Sequence, residues 1–240
     1  MIIQIPDYQI AETLYEGNKN VIQRAIRNSD EQSVVLKLPK SAYPLPSELA
    51  RLQHEYTIVK DLKLPGVLQS YGLETINNTC FLILEDFGGQ PLQSIINQQP
   101  LAVTRFLKIA IQLAETVRQI QQLNIIHKDI KPQNIIINPK TQQVKITDFG
   151  IASRLSNENQ LLGNPEQLEG TLAYMSPEQT GRMNRVIDYR TDFYSLGMTF
   201  YEMLTGKLPF STDDVMGLVH AHIAIPVSYT HLTLPTSNGV

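Results

Sequence analysis

The stretch from Ile126 to Ile137, IHKDIKPQNIII, constrains this chain more than any other. A short polar loop holds a carboxylate at Asp129, an ammonium at Lys131 and an amide at Asn134. An apolar, β-branched run that reads as a strand then closes it. Pro132 sits between Lys131 and Asn134 and forces the chain to turn. Crowding an acid, a cation and an amide into one turn contributes nothing to a packed core. Alone, such a turn also reads as a satisfied surface loop, so its flanks decide.

Upstream, the pattern predicts strands over Tyr8–Leu14, Val21–Arg27 and Ser33–Leu38, with turns at Gly17–Asn20 and Asn28–Asp30. Lys37 lies among apolar neighbours near the end of the third run, where a lysine ordinarily snorkels at an edge. A helix is expected from Ser47, with Ser47 as its cap and Leu49, Leu52, Tyr56 and Val59 as its apolar stripe. Glu55 sits at the edge of that stripe, a solvated position for a helix seen alone. Two further strands are expected over Gln69–Glu74 and Thr79–Leu84, joined by a turn at Asn77-Asn78.

Composition then shifts from strand-rich to helix-rich. Phe106, Ala110, Leu113, Val117 and Ile120 step by 4, 3, 4 and 3, an amphipathic helix leading straight into the polar loop. Downstream, Val144–Thr147 precedes Asp148-Phe149-Gly150, fourteen residues after Asn134. A polar loop over Ser153–Glu169 is followed by Gly170-Thr171 and Ser176-Pro177-Glu178, then by Asp192-Phe193-Tyr194-Ser195-Leu196-Gly197.

The totals narrow the class. In 240 residues, 42% are hydrophobic and 18% charged, enough for one large domain or two coupled lobes with a real core. A net charge of −3 without a basic run excludes bulk nucleic-acid binding. The single cysteine, Cys80, reads as core, excludes an internal disulfide framework and fits a reducing cytoplasm. No signal peptide is visible, and no segment approaches the ~20 apolar residues of a spanning helix.

The order His127-x-Asp129-x-Lys131-x-x-Asn134, followed by Asp148-Phe149-Gly150, resembles the catalytic and metal-binding loops of protein kinases. The resemblance is to eukaryotic-like bacterial serine/threonine kinases and covers roughly residues 8–226. The wording HKDIKPQNIIIN and GTLAYMSPEQTGRMNR is most similar to the kinase module opening long cyanobacterial-type sensor proteins. It implies an α+β, two-lobed kinase fold: a small antiparallel-sheet lobe over 1–84, a hinge at 85–89 and a mainly helical lobe over 90–226.

It also implies ATP between the lobes, with Mg²⁺ held by Asn134 and Asp148. Asp129 would accept the proton of a protein Ser/Thr hydroxyl, and Lys131 would neutralise the moving phosphate. Lys37 would pair the α/β-phosphates, held in place by Glu55. Gly17, Ile22, Val35, Leu84, Glu85 and Phe87 would line the nucleotide site, with hinge backbone groups facing the adenine edge and Leu84 as gatekeeper. The Gly170-Thr171 and Ser176-Pro177-Glu178 elements imply a peptide-docking segment rather than a small-molecule phosphotransferase.

Three departures stand out. The phosphate-loop glycines are reduced to Gly17 within Tyr15-Glu16-Gly17-Asn18-Lys19-Asn20. That leaves open an alternative, a catalytically weak pseudokinase serving as a nucleotide-sensing adaptor. Lys128 stands where arginine is usual and lacks the planar fork that receives a loop phosphate. Only Ser153 and Ser156 offer hydroxyls in the segment 151–170, so activation is expected not to rely on loop phosphorylation.

Finally, the kinase resemblance stops before the last helices, G to I. Residues 227–240, back-translated, resemble a sequencing-adapter end and are expected to be a non-native tail. Leu196, Phe200 and Leu218 are therefore expected to expose apolar surface, and further signalling domains would follow Pro226 in the parent protein.

Overall fold

The computed structural model describes residues 5–76, 79–97, 99–155, 172–183, 185–212 and 214–226. The expected turn at Asn77-Asn78, Ser156, Gly170-Thr171 and the stretch 227–240 lie outside them. Strands β1 (Tyr8–Glu16), β2 (Asn20–Arg27), β3 (Gln32–Pro39), β4 (Ser70–Ile76) and β5 (Thr79–Glu85) form an antiparallel sheet ordered β1-β2-β3-β5-β4. Each matches an expected strand to within two residues at either end, β4 starting one residue later than expected.

Alternation gives the sheet two apolar faces. Val34, Leu36 and Leu38 of β3 join Ala25, Phe81, Ile83 and Tyr8 on the outer face. There the Tyr8 ring meets Phe81 edge-on at 5.7 Å. On the inner face, register sets Ile22 opposite Lys37 and Lys37 opposite Leu82, with Val35 opposite Leu84 beside them. Cys80 is half-buried near the start of β5, not fully in the core.

Helix α1 (Pro46–Val59) packs on that inner face. It starts one residue before the expected cap: Pro46 is preset for a first helical turn, and the Glu48 carboxylate accepts the Leu45 N–H at 2.9 Å. Leu45, not Ser47, is the capping residue. Its buried positions are Leu52, Glu55, Ile58 and Val59, so Glu55 lies at the centre of the buried face rather than its edge.

The second lobe contains β6 (Gln90–Pro91), α2 (Leu92–Ile96), α3 (Val103–Gln122), β7 (Ile125–Ile126), β8 (Ile135–Ile137), β9 (Val144–Ile146), β10 (Ser153–Arg154), α4 (Arg190–Thr205) and α5 (Val215–Ala224). The α3 stripe is buried as its spacing requires, apart from the half-buried Phe106. It packs against Ile135, Ile137, Ile146, Leu196 and Met203 in the main core.

The expected apolar exposure on α4 does not occur. Leu196 is buried in the main core, and Phe200 stacks edge-to-face on Phe106 at 5.4 Å. Leu218 packs half-buried beside Tyr174 and Met198. Ala221 and Leu218 pack on Met198 from α5, a helix the sequence pattern did not place. Its cap Asp214 accepts the N–H groups of Met216 and Gly217 at 3.2 and 2.7 Å.

Residues 66–68 weld the two lobes. Leu68 N–H donates to Ile146 C=O at 2.9 Å, and Ile146 N–H donates to Gly66 C=O at 2.8 Å. Only glycine fits at 66, because a Cβ there would lie 1.8 Å from Thr116 Oγ1 on α3.

Candidate active site

The polar loop sits on an apolar floor. Ile126, Ile130, Ile135 and Ile137 are all buried, so the intervening polar groups have a fixed base. Asp192, at the start of α4 and fully buried, accepts the N–H of His127 at 2.9 Å and of Lys128 at 2.8 Å. Gln179 Nε2 donates to the Lys128 carbonyl at 2.9 Å. Lys128 is thereby held at φ 67°, a left-handed conformation that a non-glycine residue keeps only when its surroundings enforce it. His127 Nδ1 accepts the Asp129 N–H at 3.2 Å, so Nε2 carries the proton that reaches Thr147 C=O at 3.1 Å.

These contacts aim the functional side chains. Lys131 Nζ lies 2.9 and 2.7 Å from the two Asp129 carboxylate oxygens. Asn134 Nδ2 donates to Asp129 Oδ2 and to its backbone oxygen, both at 2.9 Å. Asp129, Lys131 and Asn134 thus form one cluster, as the sequence spacing implied.

Across the cleft, Lys37 Nζ lies 2.6 Å from Glu55 and 3.0 Å from Asp148. Strand β3, helix α1 and the loop after β9 converge on this one ammonium. Burial alone would depress the Lys37 ammonium, but Asp148 and Glu55 together hold it above the usual lysine range. Burial pushes the Glu55 carboxyl up, with Lys37 opposing. For Asp148 burial also acts upward, and the charges of Lys37 and Arg51 outweigh it, leaving it well below the usual carboxylate range.

The residues present suit Mg²⁺. Thr147 N–H donates to the Asn134 carbonyl at 3.0 Å, which sets Asp148 beside Asn134. The Asn134 amide nitrogen is engaged with Asp129, so its oxygen is the end the donor chemistry offers to a hard cation. Among the described residues no cluster of three or more His, Cys, Asp or Glu could hold a metal ion. An Asp–Asn pair completed by substrate phosphates is how Mg²⁺ is commonly bound.

Val35 and Leu84 are buried beside the cleft, with Ile22 and Phe87 partly buried against them. At the hinge, Glu85 N–H donates to Gln69 C=O at 3.0 Å, and Asn138 Nδ2 donates to Phe87 C=O at 2.7 Å. The Glu85 side chain is also committed, 2.5 Å from Lys145. At the β1–β2 turn, Gly17 N–H donates to Asn20 C=O at 2.9 Å.

Sequence reasoning missed several participants. Arg51 lies 3.8 Å from Asp148, and its side chain covers Gly150 so closely that a Cβ there would sit 2.5 Å from Nε. His54 Nε2 donates to Ala152 C=O at 2.6 Å. Arg51 stands one helical turn before Glu55 and so shares its face, a signal that periodicity carries. Nothing local flagged His54. Glu178 accepts the Thr191 hydroxyl at 2.8 Å and lines a cavity of about 360 Å³ with Arg185 and Arg190.

The Asp192 contact gives a first test. Asp192→Asn keeps the shape but turns an NH₂ toward one buried backbone N–H, with an expected loss of about 1–3 kcal/mol. Denaturant unfolding reads this directly, and an unchanged midpoint would refute the clamp.

The protein kinase domain model matches residues 8–236. Among similar curated proteins, a "probable serine/threonine-protein kinase" of Clostridium perfringens is 31% identical over 96% of this chain and 34% of its own length. Serine/threonine-protein kinase pkn3 of Myxococcus xanthus is 30% identical over 90% of this chain and 41% of its own. PknB of Mycolicibacterium smegmatis is 30% identical over 93% and 37% respectively. The chain thus spans between a third and about two fifths of the length of these relatives.

Proposed function

The chain belongs to the protein kinase domain family, and from that premise we propose that it transfers the γ-phosphate of ATP to a serine or threonine hydroxyl of a protein. The observation that carries this reading is Lys37 held between Glu55 and Asp148, facing the Asp129–Lys131–Asn134 cluster. A nucleotide-sensing adaptor would need the Lys37 site but not the Asp129–Lys131–Asn134 cluster. The adaptor alternative has no observation in its favour beyond the missing glycines.

Asp129 orients the acceptor hydroxyl and takes its proton as the new O–P bond forms and the bond to the leaving diphosphate breaks. Lys131, already beside Asp129, balances charge on the transferred group. Lys37 holds the α/β-phosphates, and Glu55 keeps Lys37 extended into the cleft. Asn134 and Asp148 would hold Mg²⁺, which when bound offsets phosphate charge. Ile22, Val35, Leu84 and Phe87 give the adenine apolar walls, and Gly17 lies in the β1–β2 turn above.

The test is Mg²⁺-dependent transfer of labelled phosphate from ATP to a generic protein acceptor, lost in Asp148→Ala. Transfer that survives in that variant, or that proceeds with divalent ions chelated, sinks the assignment.

The finer reading is that this domain, with lobes over 1–84 and 90–226 about a hinge at 85–89, opens a cyanobacterial-type sensor protein with signalling modules after it. The motif wording supports it. Among the described residues no helix is long and apolar enough to cross a membrane. A cytoplasmic setting is part of the same proposal.

A further inference from the structure

We propose that Tyr15 is a nucleotide-binding residue, its hydroxyl offering a donor at the β1–β2 turn in place of the close backbone approach that the missing glycines would have allowed. This rests on the ATP-binding reading above and adds a specific contact to it.

The argument begins with register. Thr13 pairs with Gln23, but Tyr15 pairs with Ile22, so one extra residue, Leu14, is inserted between them. Without this bulge Tyr15 would pair with Val21, whose own partner Leu38 belongs to the outer face. The bulge moves Tyr15 into line with Ile22 and Lys37, because directly paired residues point to the same side of a sheet. Lys37 reaches Asp148 from that side, so Tyr15 stands on the cleft face.

The second observation is what surrounds the ring. The Gly17 N–H is engaged by Asn20 C=O at 2.9 Å and is not open to a phosphate. A Cβ at Gly17 would lie 2.8 Å from Tyr15 Cε1 and 3.0 Å from the Tyr15 hydroxyl. The ring therefore crosses the only glycine of this turn and holds its O–H over the space a side chain at 17 would fill. Tyr15 is nevertheless 57% exposed, an unusual position for a phenol with no burial to gain. A hydroxyl there donates to a phosphate oxygen, a neutral-to-ionic hydrogen bond.

The test measures competition of ATP, ADP and adenosine, each with Mg²⁺, against a fluorescent ATP analogue on the full chain. The sequence has no tryptophan to interfere. Tyr15→Phe should weaken ATP and ADP by about ten- to hundredfold, the range for a hydrogen bond to a charged group, and leave adenosine unchanged. KM for ATP should rise by a similar factor with a smaller change in kcat.

ATP affinity equal to wild type in Tyr15→Phe overturns the proposal, as does equal weakening of adenosine, which would mean ring packing instead. Wild-type protein that binds no ATP would instead overturn the kinase reading itself. Because Tyr15 is exposed, Tyr15→Phe should melt as wild type does.

Discussion

Asp129→Asn is expected to lower the phosphotransfer rate by about two to four orders of magnitude, the range for removing a positioned general base. The substitution is nearly isosteric, and its remaining amide oxygen can still accept from Asn134, so the loop should keep its shape. What disappears is proton acceptance and the charge that Lys131 faces at 2.7 and 2.9 Å. Nucleotide affinity should barely change, since the proposed nucleotide contacts are made by Lys37, Asp148 and the apolar walls. Single-turnover transfer together with nucleotide competition separates the two effects. A variant that transfers phosphate at the wild-type rate would remove Asp129 from the mechanism.

Lys37→Met is expected to abolish nucleotide binding and to destabilise the fold by about 3–5 kcal/mol, the usual consequence of removing one partner from a buried ionic group. Glu55 is 2% exposed and would lose its hydrogen-bonded cation, keeping only the weaker influence of Arg51. The sign of the pH response distinguishes this from simple loss of packing. In wild type the Asp148 carboxyl lies below its unfolded value, so its contribution is present at neutral pH and lost only as pH falls through the folded value.

Without Lys37, burial dominates at Glu55, whose folded value moves further above the unfolded one. Its protonated form then favours the fold, and that contribution disappears as pH rises through the folded value. Lys37→Met should therefore become more stable on mild acidification, and Lys37→Met with Glu55→Gln should recover part of the loss at neutral pH. Denaturant unfolding at the two pH values checks both. A Lys37→Met variant with the wild-type pH dependence would show that Glu55 is not the stranded charge.

Much of this was legible in the residues themselves. Strands announced themselves through β-branched runs and turn residues, and α3 through spacing that burial later matched. The Asp129–Lys131–Asn134 cluster was legible because its members are close in sequence and Pro132 shapes the turn. Lys37, Glu55 and Asp148 were legible only through motif resemblance, since no local pattern predicts that residues so far apart share one ammonium.

The misses have physical causes. Glu55 was placed at the edge of its stripe because Lys37, the partner that it meets inside, lies on another element. Helix α5 was overlooked because its apolar residues run nearly all round, giving no one-sided stripe to detect. Leu196 was expected to be exposed for want of the last helices, but its partners are the α3 side chains of the main core.

The weld at residues 66–68 makes α1 a lever with a fulcrum near its C-terminal end. Rising about 1.5 Å per residue, the helix carries Glu55 about 6 Å from Val59 and Arg51 about 12 Å from it. Any swing that leaves the Leu68–Ile146 contact intact must then displace Arg51 about twice as far as Glu55. The guanidinium would leave Gly150 while the Lys37–Glu55 pair was still within reach of closing again. Disengagement of this helix is ordered by its mounting, tip first and ion pair last.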